Sequence, residues 1–267
     1  MKKFALIMVV FCASCVAPRV SITNNNSDNP QSIIDGKLFA TAYQQRAAEY
    51  RALCYQAFNI ARTRIEQFNR ERSPKPKAIM TDIDETLLNN SPYAAHQLLQ
   101  GKDYDDASWV EWTSKGIADT LPGALSFLQF ASASGIEIFY VTNRGENERA
   151  GTLANLKKFN FPNADNEHLL LKGASSSKEG RKKSIAENHT IVLLMGDNMN
   201  DFSFLFEKKN PDDRAKVADN FAGEFGNRFI VLPNTEYGDW EFSLYHFNYG
   251  LTPSQKDSVI RASLYSY

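Results

Sequence analysis

Lys77-Ala78-Ile79-Met80-Thr81-Asp82-Ile83-Asp84-Glu85-Thr86 is the stretch on which the reading of this chain turns. Ser73-Pro74 and Pro76 stop any helix before it, and Lys77 to Thr81 then predicts a short strand that delivers Asp82 at its end. Two carboxylates two residues apart, just beyond a strand, can converge on one site once the chain turns. On its own this pattern is weak, because acidic turns are common at strand ends. Its weight depends on what the rest of the chain brings to the same place.

Upstream, residues 38–68 predict one long helix. Tyr43, Ala47, Tyr50, Cys54, Ala57, Ala61, Ile65 and Phe68 recur at spacings of three and four and form one apolar stripe. Cys54 lies on that stripe, which assigns it to packing. Downstream, Leu121-Pro122-Gly123 opens a helix that Gly135 closes, and residues 136–141 predict a buried parallel strand. A helix over 146–159, a short strand at 168–171, a helix ending at 184–188, a strongly buried strand at 191–195 and a last strand at 228–232 follow. Strands alternating with helices predict an α/β fold with a mostly parallel sheet.

The chain has 267 residues, 43% hydrophobic and 23% charged, with 18 Phe, 11 Tyr and 3 Trp. That is the profile of a globular protein and excludes disordered, collagen-like and disulfide-scaffold classes. Thirty basic residues face 31 acidic ones, for a net charge of −1, so no positive excess exists to meet a nucleic acid polymer. Met1-Lys2-Lys3 and the apolar run that follows read as a secretory signal peptide over 1–14. Ala13-Ser14-Cys15 resembles the lipobox of bacterial lipoproteins, with Cys12 where that family favours Leu. Cys15 is therefore the expected lipidation site, and 15–34, rich in Asn, Ser and Pro, the expected flexible tether. The expectation is an exported chain, lipid-anchored to the bacterial cell envelope at the outer membrane, with a soluble periplasmic or secreted form as the alternative. Residues 35–267 form one domain.

Three strand ends carry polar groups that make chemical sense together. The first is Asp82-Ile83-Asp84-Glu85-Thr86; a divalent cation would relieve its carboxylate repulsion, and hard oxygen ligands suit Mg²⁺. The second is Val141-Thr142-Asn143-Arg144, whose hydroxyl and amide can hold an anionic oxygen. The third is Met195-Gly196-Asp197-Asn198-Met199-Asn200-Asp201-Phe202, with two acids four residues apart. D-x-D-x-T, T-N and G-D-x-x-x-D in this order resemble the haloacid dehalogenase superfamily of aspartate-nucleophile phosphohydrolases. Asp82 to Tyr93 (D-I-D-E-T-L-L-N-N-S-P-Y) with Gly196 to Phe202 (G-D-N-M-N-D-F) looks like the class C bacterial acid phosphatases, the lipoprotein 5′-nucleotidase type. The likeness runs over about 77–240. Departures are mild: Met80-Thr81 is a more polar lead-in than usual, and Met199 replaces a common Leu.

The resemblance implies a Rossmann-like parallel sheet flanked by helices with a small, mostly helical cap, and a Mg²⁺-dependent phosphomonoesterase. It implies Asp82 as nucleophile and Asp84 as acid/base. The metal would be held by Asp82, the Asp84 main-chain carbonyl and Asp197, with Asp201 beside it. Thr142 and Asn143 would bind phosphoryl oxygens, together with a lysine. Lys178, in Ser177-Lys178-Glu179-Gly180-Arg181, is preferred to Lys172; Lys172 and Arg181-Lys182-Lys183 read as solvated surface charge, and Glu85 as structural or solvated. Aromatics of an insert and of a C-terminal loop frame the entrance in that family, which points to Trp109 and Tyr237, with Trp112, Trp240 and Tyr245 as weaker candidates. His96, His168, His189 and His246 show no metal spacing, and neither G-x-S-x-G nor G-x-x-x-x-G-K-[ST] is present. The expected substrates are small phosphomonoesters such as nucleoside monophosphates. A phosphotransferase using the same intermediate, and a surface ligand-binding (haem-type) lipoprotein with a silent phosphatase site, remain alternatives.

Overall fold

The computed structural model describes residues 31–267, so the expected signal peptide, Cys15 and most of the expected tether lie outside the described residues. In chain order the elements are α1 (Gln31–Arg46), α2 (Ala48–Phe68), β1 (Lys77–Thr81), β2 (Leu88–Asn89), α3 (Ser91–Leu99), α4 (Asp106–Ser114), β3 (Asp119–Thr120), α5 (Ala124–Ala133), β4 (Glu137–Val141), α6 (Arg149–Lys158), β5 (Leu169–Leu170), α7 (Glu179–Asn188), β6 (Thr190–Gly196), α8 (Pro211–Asn220), β7 (Phe229–Val231), α9 (Asp239–Leu244) and α10 (Pro253–Ser263).

Five strands make one sheet in the order β5-β4-β1-β6-β7, every pairing parallel. β1 is its centre: Met80 lies opposite Phe139 of β4 on one side and Leu194 of β6 on the other. Successive side chains of a strand point to opposite faces, so a strand covered on both sides must be apolar throughout. Ile79, Ile138, Tyr140, Leu193 and Met195 accordingly pack toward α2 and α5. Ala78, Met80, Phe139, Val141 and Leu194 pack the other face with Ile185, Phe202 and Phe229. The order places β1 between β4 and β6, where the chain switches from one half of the sheet to the other. Loops leaving the carboxyl ends of such strands form a crevice there. The short antiparallel pair β2–β3 and the helices α3 and α4 form the insert over it.

Two expectations need correction. The helix over 38–68 is two helices, because Ala47 leaves the helical region (φ −76°, ψ 130°) between α1 and α2. The apolar stripe runs across the break, and side-chain periodicity does not register one extended residue. The expected tether also ends too late: α1 starts at Gln31, and Ile33 and Ile34 are buried. Cys54 is fully buried in the core, where the stripe put it. Among the described residues no helix is long and apolar enough to cross a membrane.

Candidate active site

β1 carries the first two acids. Asp82 continues the pairing of β1, its amide donating to the Met195 carbonyl at 2.9 Å. The chain then turns tightly: the Ile83 carbonyl accepts from the amides of Leu87 (2.8 Å) and Leu88 (2.9 Å), and Glu85 sits at φ +50°. A non-glycine residue there costs energy unless its surroundings hold it. Glu85 is held: its carboxylate, fully buried, accepts from the Asn90 amide at 2.8 Å and from the Tyr237 hydroxyl. It is a turn anchor and not a solvated acid. Burial, with the nearby Asp84 charge, pushes its carboxyl well above the usual range.

The turn aims Asp84 at Arg144, the residue after Asn143 beyond β4. The guanidinium donates from Nη2 to Asp84 Oδ1 at 2.7 Å and from Nε to both oxygens at 3.1 and 3.2 Å. Its Nη1 donates to Thr152 Oγ1 at 3.0 Å. Arg144 is buried, and although burial alone would lower its pKa, the Asp84 charge outweighs that and raises it. Asn90 adds a bond to Asp84 Oδ1 at 2.9 Å and is itself fixed by Trp112 Nε1 at 2.8 Å.

β6 ends in Gly196, and here only glycine fits: a Cβ at this position would overlap the Asp201 carboxylate and Cβ. That close approach brings Asp201 back over the strand end, where its Oδ2 accepts from the Asn198 amide at 3.0 Å. Asp82, Asp197 and Asp201 then offer oxygens that all lie within 4.8 Å of one another. Lys178, at the head of α7, lies 2.7 Å from Asp82 Oδ1 and 2.7 Å from Asp201 Oδ1. Burial pushes the Asp82 carboxyl up to about 7, with Asp201 and Asp84 adding to the effect and Lys178 opposing it. Burial, Asp201 and Asp82 drive Asp197 well above its ordinary value as well. The ammonium of Lys178 is disfavoured by burial, yet the two carboxylates raise its pKa. The donor set is hard oxygen, crowded and short of positive charge, so a divalent cation fits it.

The remaining expected site residues fall as follows. Thr142 is fully buried; its hydroxyl accepts from the Arg144 amide at 3.2 Å and donates to Asp84 Oδ2 at 3.5 Å. Asn143 is exposed at the cleft, its Oδ1 accepting from Arg181 Nη2 at 2.8 Å. Lys172 is exposed, and it is Lys178 that bridges Asp82 and Asp201. Arg181 corrects an expectation: it is part-buried and also donates to the carbonyls of Thr142 and Leu170, tying α7 to the ends of β4 and β5. Trp109 and Tyr237 both line a cleft of about 680 Å³ that contains Asp82, Asp84, Asn143, Lys178 and Asp197. Trp109 stands edge-on to Tyr93 at 5.2 Å, with the Arg144 guanidinium 5.8 Å from its ring. Trp240 is half-exposed and bonds the Tyr237 carbonyl, while Tyr245 is buried against Glu241. Arg144, Arg181, Asn90, Thr86 and Asn234 were not expected as site residues. The last two hold Asp197, at 3.3 and 2.8 Å.

The model of the family described as HAD superfamily, subfamily IIIB (Acid phosphatase), matches residues 5–240. The class C acid phosphatase from Bacillus anthracis is 36% identical with a TM-score of 0.85, over 88% of this chain and 99% of that one. A structure of the class C acid phosphatase from Bacillus anthracis with tungstate bound also gives 36% and 0.85, over 88% and 98%. Acid phosphatase 1 of Solanum lycopersicum is 30% identical over 128 residues, 45% of this chain and 49% of that protein. The Stem 28 kDa glycoprotein of Glycine max is 26% identical over 200 residues, 70% and 75% of the two chains. The chain thus spans about half the length of the tomato relative and three quarters of the soybean one. The family match runs through every strand that carries a site residue, and the chain belongs to subfamily IIIB of the haloacid dehalogenase superfamily, the acid phosphatases.

Proposed function

We propose that the chain hydrolyses small phosphate esters through an aspartyl-phosphate on Asp82. The observation that carries this reading is the placement of Asp82 at the end of the central strand, 2.7 Å from the buried Lys178 and facing Asp84 and Asp197 across one cleft. An Asp82 oxygen attacks phosphorus, the ester P–O bond breaks, and the leaving alkoxide takes a proton from Asp84. Water then attacks the phosphoryl group, gives its proton back to Asp84, and frees the Asp82 carboxylate as phosphate leaves. Lys178 offsets phosphoryl charge, and Thr142 and Asn143 orient its oxygens. Asp82, the Asp84 carbonyl and Asp197 would hold Mg²⁺, with Asp201 fixing Lys178 beside them. The ion supplies charge neutralisation between nucleophile and phosphate.

Trp109 and Tyr237 would receive the leaving group, and nucleoside monophosphates suit a cleft with such rings. Export and acylation at Cys15 belong to the same proposal and place the enzyme on the bacterial cell envelope, at the outer membrane. The test is a release assay over a panel of phosphomonoesters, with Mg²⁺ and with chelator, on the native chain and Asp82→Asn. Hydrolysis by the native chain alone, blocked by tungstate, supports the reading. Equal hydrolysis by Asp82→Asn refutes it. Failure of a fatty-acid label to enter the chain, or its persistence in Cys15→Ser, refutes the anchor.

A further inference from the structure

One face of α3 floors the catalytic cleft: Asn90, Tyr93, Ala94, Gln97 and Leu98 recur along it at spacings of three and four. Asn90 bonds Asp84, and at about 1.5 Å per residue Gln97 lies about 10 Å further out along that face. The outer end of the cleft therefore meets the far part of a long leaving group and is out of reach of a short one. Two walls enclose it. The insert supplies one, with Tyr104 and Trp109; the segment from Tyr237 into α9 supplies the other, with Phe242.

Lys37 of α1 lies between the walls. Its ammonium donates to both oxygens of Asp103 at 2.9 Å and stands 3.4 Å from Glu241 Oε1. The Lys37 side chain is 17% exposed and that of Glu241 5%, so the bridge is largely withdrawn from water. Burial alone would lower the pKa of Lys37, but the Glu241 and Asp103 charges raise it and keep the ammonium. Among the described residues no other ion pair joins the insert to α9. Near the same place the Thr235 hydroxyl donates to the Ala40 carbonyl at 3.3 Å, so α1 holds the second wall twice. That wall carries Tyr237, whose hydroxyl anchors Glu85 in the turn that aims Asp84. Without Lys37, the two carboxylates that share its ammonium would be left to repel each other across the cleft.

We propose that Lys37 is a positioning residue for the leaving group: it clasps the insert to α9, fixes the spacing of the two outer walls, and so favours phosphate esters long enough to reach them. Lys37 touches no reacting atom, and its contribution is binding energy collected away from phosphorus. An ester of nucleoside length feels it, and a one-carbon ester does not.

The test compares the native chain, Lys37→Met and Lys37→Arg on adenosine 5′-monophosphate and on methyl phosphate, with hydrogen exchange measured on the free proteins. In Lys37→Met, kcat/KM for the nucleotide should fall about tenfold with kcat little changed, while methyl phosphate is hydrolysed as by the native chain. Lys37→Arg, which keeps a charge that can span both acids, should recover most of the loss. Amides of 103–114 and of 235–245 should exchange at least about fivefold faster in Lys37→Met, with those of β1 and β6 unchanged. Should Lys37→Met fail to fold, Asp103→Asn carries the same expectations. Equal losses on the two esters, an undiminished kcat/KM for the nucleotide, or walls that exchange at the native rate each overturn the proposal. The kinetic comparison rests on the phosphatase reading; hydrolysis of neither ester by the native chain would refute that reading, and hydrogen exchange would still decide the clasp.

Discussion

Replacing Arg144 by Met keeps most of the side-chain volume and removes the fork that holds Asp84. The structure sets the size of the effect. The Arg144 side chain is 1% exposed, while the Asp84 side chain is 15% exposed and reaches the cleft. Stripping the partner from a fully buried charge costs about 3–5 kcal/mol. Water in the cleft can recover part of the lost solvation here, which brings the expected cost to about 2–3 kcal/mol. For a domain of this size that is a fall of roughly 5–10 °C in melting temperature. The catalytic effect has a different signature. General acid catalysis is worth about 10²–10⁴-fold, and a misplaced carboxylate forfeits a large share of it. Phosphate esters of alkyl alcohols need that proton; 4-nitrophenyl phosphate, whose leaving group departs as a stable anion, does not. Arg144→Met should therefore lose about 10–100-fold in kcat/KM, which reports the phosphorylation step, on an alkyl phosphate and far less on 4-nitrophenyl phosphate. Arg144→Lys, which keeps the charge and loses the planar fork, should fall between. Equal losses on both substrates would show that Arg144 does not act through Asp84, and the reasoning would fail.

Three further outcomes are expected. Gly196→Ala forces a Cβ onto Asp201 and should separate it from Lys178, costing about 1–3 kcal/mol as overpacking does; a variant as stable and as active as the native chain contradicts the close-approach argument. Adding Mg²⁺ should raise the melting temperature of chelator-treated protein, and Asp197→Asn should reduce that shift; an unchanged shift in the variant removes Asp197 from the ligand set. Stability should also fall as pH rises through the folded-state pKa of His168. Burial alone would lower that value, but the Glu137 and Asp165 carboxylates at 2.9 and 2.7 Å raise it above 6.5. The imidazolium contribution is thus complete below the unfolded value and lost above the folded one, at most about 1.4 kcal/mol per unit between them. Denaturant titrations across that window on the native chain and His168→Gln check it, and identical slopes for the two proteins argue against it.

What the sequence made legible was whatever short-range chemistry controls. Prolines before it and the acidic turn after it bound β1 at Lys77–Thr81, the limits that the strand shows. The strand-end acids could be read because each lies within a few residues of its strand. Arg144 stands next to Asn143 in the T-N-R stretch, yet its partner Asp84 is 60 residues away, a pairing fixed only by β1 lying beside β4. Arg181 looked like one of three surface charges in a row; whether such a residue is solvated depends on which way the helix faces, and α7 turns it onto the carbonyls of Thr142 and Leu170. Glu85 gave no local sign of burial, because its partners Asn90 and Tyr237 come from the start of α3 and from the loop before α9. The break at Ala47 is one residue wide and leaves the stripe in phase.

Charge pairing within the site also dictates where a cation acts. Arg144 compensates Asp84 through three hydrogen bonds, and Lys178 bridges Asp82 and Asp201. Asp197 has the neutral donors Thr86 and Asn234 as its hydrogen-bond partners, with Lys178 entering only at longer range. Neutral donors help a buried carboxylate but do not balance its charge. Its carboxyl is accordingly driven well above the usual range, chiefly by burial and then by Asp201 and Asp82. An added positive charge beside Asp197 therefore favours its ionisation. A phosphate ester entering the cleft would add further negative charge beside it. Cation and oxyanion should for that reason bind with positive coupling, each strengthening the other by the same factor. Tungstate affinity measured with and without Mg²⁺, and Mg²⁺ affinity measured with and without tungstate, must then shift together, and independence of the two would mean that the acids are neutralised by something other than the cation.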